Sequence, residues 1–210
     1  DAQSAKRLRR PAPAGELPRY EPSTSKVDFE VVKELSGLIS VRVGANQCDI
    51  QSQFSVPGGK WVTGESDRFT YERSIERRDE AIVVRDSFKN RTDKPLGIMQ
   101  RHRCSYGGPI KRAWLAGLEQ PDLSGTITQP ANPTSYGATD RFGAGLLPLS
   151  DAFRVHASNG ASQLVVELED NFLVIGPHAT HTAEWAVIPT ENPDYWEFLN
   201  AARRLLDANF

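Results

Sequence analysis

The sequence predicts an all-β protein, an antiparallel β-sandwich completed by one C-terminal α-helix. Three observations carry this. Apolar residues alternate with polar ones over short runs, the period of a half-buried strand. Turn residues separate the runs, and 16 glycines and 14 prolines in 210 residues supply enough of them for many strands. A helical period appears only near the end of the chain. The length suffices for one large all-β domain with a real core. It divides into an extended or disordered segment over residues 1–26, a sandwich over 27–190 and a linker helix over 191–210.

A net charge of −2 and a pI near 6.1 give no field that would gather nucleic acid or an anionic membrane surface, so neither is an expected partner. No apolar run approaches the roughly 20 residues of a membrane helix. Cys48 and Cys104 fall on separate predicted strands, as buried thiols or as a disulfide. No CxxC pair is present, so zinc and thiol redox chemistry have no support.

In chain order, residues 1–25 are rich in Ala, Pro, Ser and Arg without periodicity; the basic run Lys6–Arg10 is a contact site or simply a solvated charge run. Val27–Leu35 reads as a first strand, broken at Ser36-Gly37. Leu38–Val43 follows, with Ile39, Val41 and Val43 on one face. Cys48–Val56 is a third strand, stopped by Pro57-Gly58-Gly59. Trp61 beside that turn is either a stacking platform for a sugar ring or a packing tryptophan. Phe69–Arg78 pairs across Asp79-Glu80 with Ala81–Lys89, whose Ile82, Val84 and Phe88 share a face. Asn90–Pro95 has turn chemistry and leads into Leu96–Met99, so residues 79–103 read as a central hairpin. Lys111–Leu118 is a further strand and carries Trp114.

Gln120–Arg141 is the longest stretch without a pattern. Long loops in compact domains are commonly functional. Tyr136, Asp140 and Arg141 supply a ring, a carboxylate and a fork donor, suited to a hydroxyl-rich ligand, so Trp61, Trp114, Tyr136, Asp140 and Arg141 are the candidate carbohydrate-binding residues. The competing reading is a loop that only closes one end of the sandwich. Ala152–His156, Gln163–Leu168, Asn171–Ile175 and Thr180–Ile188 read as strands, with a turn at Asn159-Gly160 and Trp185 in the core. His178 and His181 form H-x-x-H, but on a strand their side chains diverge, and no metal or cofactor is predicted. His102 and His156 read as structural. The terminal helix begins near Asn192-Pro193, with Trp196, Leu199 and Leu206 as its apolar stripe.

Several segments in order carry a resemblance: S-x-F-S-x-P-G-G-x-W at Ser52–Trp61, V-x-D-S-F-x-N-x-T-D-x-P-L-G-I at Val84–Ile98, N-P-T at Asn132–Thr134, G-x-G-L-L-P-L-S-D-A-F-R-V-H at Gly143–His156, E-W-A-V-I-P at Glu184–Pro189 and D-Y-W-E-F-L-N-A-A-R-R at Asp194–Arg204. Together they resemble the N-terminal β-supersandwich module, galactose mutarotase-like, of large bacterial glycoside-hydrolase-like proteins. The resemblance implies a non-catalytic module that supports a downstream catalytic barrel or contributes a loop to it, with carbohydrate as a ligand. It places the catalytic carboxylates in that barrel and the protein outside the cytoplasm, periplasmic or secreted. Two other readings are a stand-alone mutarotase or epimerase, which needs a His and a Glu on an open sheet face, and a structural or adhesive sandwich.

Overall fold

A computed structural model describes residues 27–35 and 37–208. The predicted N-terminal segment and its basic run lie outside these residues. Among the described residues, fourteen strands form two seven-stranded sheets, and every pairing is antiparallel. The first sheet runs β1 (Phe29–Leu35), β2 (Leu38–Val43), β3 (Asn46–Ser55), β6 (Leu96–Ser105), β13 (Val165–Ile175), β12 (Ala157–Ala161), β9 (Gly125–Thr128). The second runs β4 (Phe69–Arg77), β5 (Ile82–Asn90), β14 (Thr180–Thr190), β11 (Gly143–Pro148), β10 (Ser135–Ala138), β7 (Arg112–Leu115), β8 (Leu118–Glu119). Period-2 alternation builds the core between them: Ile39, Val41, Ile50, Phe54, Ile98 and Leu168 point in from one sheet, Ile82, Val84, Phe88, Leu146, Trp185 and Val187 from the other.

The main correction concerns residues 79–103. The β4–β5 pairing is as expected, but β5 and β6 belong to opposite sheets, so the segment is a crossover rather than a hairpin. Asn90 explains it. Its buried side chain donates from Nδ2 to the carbonyls of Lys94 (2.7 Å), Ile175 (3.1 Å) and Gly176 (2.9 Å), and its Oδ1 accepts from the Thr92 amide (2.8 Å). These bonds turn the chain from one layer to the next and tie it to the end of β13.

Other boundaries also moved. Residues 152–156 belong to a short helix, α1 (Asp151–His156), which drives Phe153 between the sheets and leaves Val155 outside. Asn159-Gly160 lies inside β12, because buried Asn159 uses its Nδ2 to reach Ser135 Oγ across the sandwich at 2.7 Å. The two strands expected over 163–175 are one, β13, with an irregularity between Asp170 and Leu173 where Asp170 Oδ1 accepts the Phe172 amide at 2.8 Å. The patternless stretch 120–141 contains β9 and β10.

The terminal helix, α2 (Tyr195–Leu205), starts two residues later than expected. Asp194 caps it by accepting the Trp196 amide at 2.8 Å. It lies on the outer face of the second sheet through Tyr195, Phe198, Ala201 and Ala202, against Trp114, Tyr136, Leu147 and Ile188. This stripe is rotated by one residue from the expected one, and Trp196 is 65% exposed. The reason lies in β11. A Cβ on Gly145 would sit 2.4 Å from the Phe198 ring, so Gly145 makes the socket that receives Phe198, while one on Gly143 would sit 2.0 Å from the Tyr136 hydroxyl, so Gly143 makes room for the ring on which Phe198 packs. Glu80 accepts both Nε and Nη2 of Arg204 and anchors the helix's last turns.

A polar belt crosses the core. Buried Asp86 accepts from Tyr71 Oη (2.8 Å), Arg73 Nε (2.7 Å) and Nη2 (2.8 Å), and Trp185 Nε1 (2.9 Å). Arg73 Nη2 also donates to Ser52 Oγ in the facing sheet (2.8 Å), which bonds His102 Nδ1 (2.9 Å). His102 stacks on Trp185 at 4.0 Å. Burial first, and the Arg73 charge, press the His102 imidazole down to about 3. The Arg73 bonds overcome burial and hold the Asp86 carboxyl below its ordinary range.

Candidate functional site

The two outer faces differ. α2 covers that of the second sheet, and among the described residues no helix packs on that of the first. Alternation and register decide what this open face carries. Gln51 and Gln53 on β3, Arg101 and Arg103 on β6, and Glu167 and Glu169 on β13 point outward, since their neighbours Ser52, His102 and Leu168 point inward. Pairing sets Gln51 beside Arg103 beside Glu167, and Gln53 beside Arg101 beside Glu169. Two polar rows therefore cross the strands at the middle of the sheet.

Local contacts fix these side chains. Arg101 donates from Nε (2.9 Å) and Nη2 (2.7 Å) to Gln53 Oε1, and its guanidinium lies 4.1 Å from the centre of the Trp61 ring. Trp61 reaches this face because its neighbour Val62 pairs with Phe54 and packs toward the core, turning the indole the other way. Arg103 forms an ion pair with Glu167. Glu169 accepts from Asn171 Nδ2 (3.4 Å). Burial, and then the adjacent Glu167 carboxylate, raise the Glu169 carboxyl above its ordinary value. The cluster offers a half-buried aromatic ring, two fork donors, two amides and two carboxylates.

The five residues singled out from sequence do not converge. Trp61 is in this cluster. Trp114 and Tyr136 lie on the far side of the molecule beneath α2: Trp114 stacks on Tyr195 at 5.1 Å, and Tyr136 has 0% exposure with its hydroxyl 2.8 Å from Thr190 Oγ1. Tyr136 is thus a packing residue of β10 rather than a loop residue facing solvent. Asp140 and Arg141 form the β10–β11 turn, where they line a cleft of about 460 Å³ at one end of the sandwich with Gln47, Tyr106 and Lys111.

Gln51, Gln53, Arg101, Arg103, Glu167 and Glu169 were missed. Their signal is a like pair two residues apart on each of three strands. Sequence shows the pairs but not that the strands are neighbours.

The remaining candidates sit elsewhere. His178 bonds Asp93 at an exposed turn (2.8 Å), while His181 lies part-buried on β14, so the H-x-x-H pair diverges. His156 Nδ1 comes within 3.5 Å of Asp170. Cys48 and Cys104 are free buried thiols; the Cys104 thiol beside Cys48, together with burial, raises the Cys48 thiol.

No protein-family model and no curated protein matches this sequence. Among solved structures, the chain is similar to a protein of Synechocystis sp. PCC 6803 at 12% identity, covering 78% of this chain and 66% of that one with a TM-score of 0.42. It is similar to a putative aldose 1-epimerase of Escherichia coli K12 at 9% identity, covering 78% and 69% with a TM-score of 0.43. It is also similar to a putative aldose 1-epimerase of Klebsiella pneumoniae at 8% identity, covering 81% and 57% with a TM-score of 0.46. The chain spans 57% to 69% of the lengths of these proteins, and similarity at this level assigns no residue and no activity to it.

Proposed function

We propose that this chain is a non-catalytic β-sandwich module of a multidomain, glycoside-hydrolase-like protein and that it holds carbohydrate on the outer face of its first sheet. One observation carries the binding part: a Trp61 ring fixed beside Arg101 and Gln53, next to Arg103, Glu167 and Glu169, on the face that no described helix covers. An indole presents an apolar face to sugar C–H groups, and the amides, guanidinia and carboxylates supply the donors and acceptors that hydroxyls need. The outward side of α2, where Trp196 is exposed, supports its role as the helix that faces a catalytic domain of the same protein.

The epimerase reading has less support. His102 points into the core, His178 bonds Asp93, and Glu184 pairs with Arg85 on the other sheet at 2.8 Å, so these groups share no open face.

Binding to a glycan array, followed by titration calorimetry on the best hit, tests the proposal. Trp61→Ala and Arg101→Gln each weaken binding by roughly tenfold or more, equivalent to ~1.4 kcal/mol. Binding that survives both changes but is lost in Asp140→Ala/Arg141→Ala would move the site to the terminal cleft and refute this assignment.

A further inference from the structure

We infer that the ligand of this face is an uncharged linear polysaccharide lying across the strands, rather than a single sugar or a charged polymer; the inference rests on the carbohydrate reading above. The first argument is extent. The register continues beyond β13, across β12, where Ser158 is buried and Gly160 has no side chain, to the exposed threonines of β9. Glu169 is level with Ser158 on β12 and Thr128 on β9, and Glu167 with Gly160 and Thr126. Thr126 and Thr128 are exposed on β9 at the far edge of the sheet, and Gln53 with Trp61 marks the near end of the rows at β3, inside β2 and β1. Five adjacent strands give four gaps, or about 19 Å, room for roughly four sugar residues end to end, whereas one ring would engage only two neighbouring strands.

Charge is the second argument. Arg101 and Arg103 face Glu167 and Glu169 across a single strand pairing, and the Arg103–Glu167 couple is a direct ion pair. Two cations matched by two carboxylates at this spacing leave no net field to draw a polyuronate or a sulfated chain, and the carboxylates repel either one. They leave a surface dense in paired donors and acceptors, complementary to hydroxyls, which both donate and accept. Preorganisation is the third. Gln53 and Trp61 already fix Arg101, and Glu167 fixes Arg103, so little side-chain freedom remains to be lost on binding.

The test is a length series. The intact chain is titrated with xylo-, cello- and β-galacto-oligosaccharides of one to six residues, and polygalacturonate and dextran sulfate are run as charged polymers in affinity electrophoresis. One neutral series should bind, with affinity rising at least tenfold from monomer to tetramer and then levelling. Thr126→Ala/Thr128→Ala should weaken the tetramer several-fold and leave the dimer unchanged, while Trp61→Ala weakens both. Equal affinity for monomer and tetramer, or tighter binding to either charged polymer, overturns this inference and leaves the carbohydrate reading standing. Failure of every saccharide, with an unchanged unfolding transition showing that the protein is folded, overturns both.

Discussion

Replacing Arg73 by methionine removes the charged partner of a buried carboxylate. The Asp86 carboxylate has 0% exposure and takes four hydrogen bonds, two of them from Arg73, which is also its only charged partner among them. Without Arg73 the carboxylate keeps Tyr71 and Trp185 but stays an unpaired buried anion. Such a loss costs about 3–5 kcal/mol, a large share of the 5–15 kcal/mol stability usual for a domain. Asp86→Leu alone should cost a similar amount, because it leaves the guanidinium unpaired and two donors unmet. The double variant removes both charges at once. Its residual cost is the roughly 1–3 kcal/mol of any donor, chiefly Trp185 Nε1, that finds no new acceptor. Urea unfolding followed by tryptophan fluorescence should therefore show the double variant at least ~3 kcal/mol more stable than the sum of the single losses predicts. Additivity within about 0.5 kcal/mol would refute the claim that the two residues form one electrostatic unit.

Further predictions follow from the same interior and from α2. The folded His102 pKa, pressed to about 3, lies below the unfolded value near 6.5. The unfolded chain therefore gains a proton that the folded chain refuses, so stability is full above the unfolded pKa and falls as pH drops through the window toward the folded one, by up to ~1.4 kcal/mol per pH unit. His102→Gln should flatten that part of the urea-midpoint profile. Phe198→Ala should cost about 3–5 kcal/mol, whereas Trp196→Ala, on the exposed side of the same helix, should stay within about 0.5 kcal/mol. Gly145→Ala should cost about 1–3 kcal/mol by filling the Phe198 socket, read as a lower thermal midpoint and faster proteolysis at α2.

Much of the fold was legible in residue patterns. Leu38–Val43 declared itself by strict alternation, and Phe69–Arg78 found its partner across Asp79-Glu80 because a short connection leaves few alternatives. What failed was information that no local pattern carries. Asn90–Pro95 has the composition of a hairpin turn, yet the bonds that bend it between sheets end on Ile175 and Gly176, 85 and 86 residues away. The buried stripe of α2 could not be chosen between Tyr195–Phe198–Ala202 and Trp196–Leu199–Leu206 without knowing that Gly145 forms a socket for Phe198 on β11. The candidate site has the same history. Trp61 was visible as an aromatic beside a glycine turn, but Tyr136 looked like a loop residue because the helix that covers it lies some sixty residues further on. Arg101 and Glu169 meet only through the β6–β13 pairing, which sequence does not disclose.

The four tryptophan indoles offer the most direct test of the central claim. They report on separate places: Trp61 on the open face, Trp114 beneath α2, Trp185 in the core and Trp196 on the outer side of the helix. In a proton–nitrogen correlation spectrum of the labelled chain, titration with the oligosaccharide that binds best should shift the Trp61 indole and the side-chain amides of Gln51 and Gln53, and leave the other three indoles in place. Saturable shifts at Trp196 or around Asp140 and Arg141, with Trp61 unmoved, would contradict the assignment of the carbohydrate site to the first sheet.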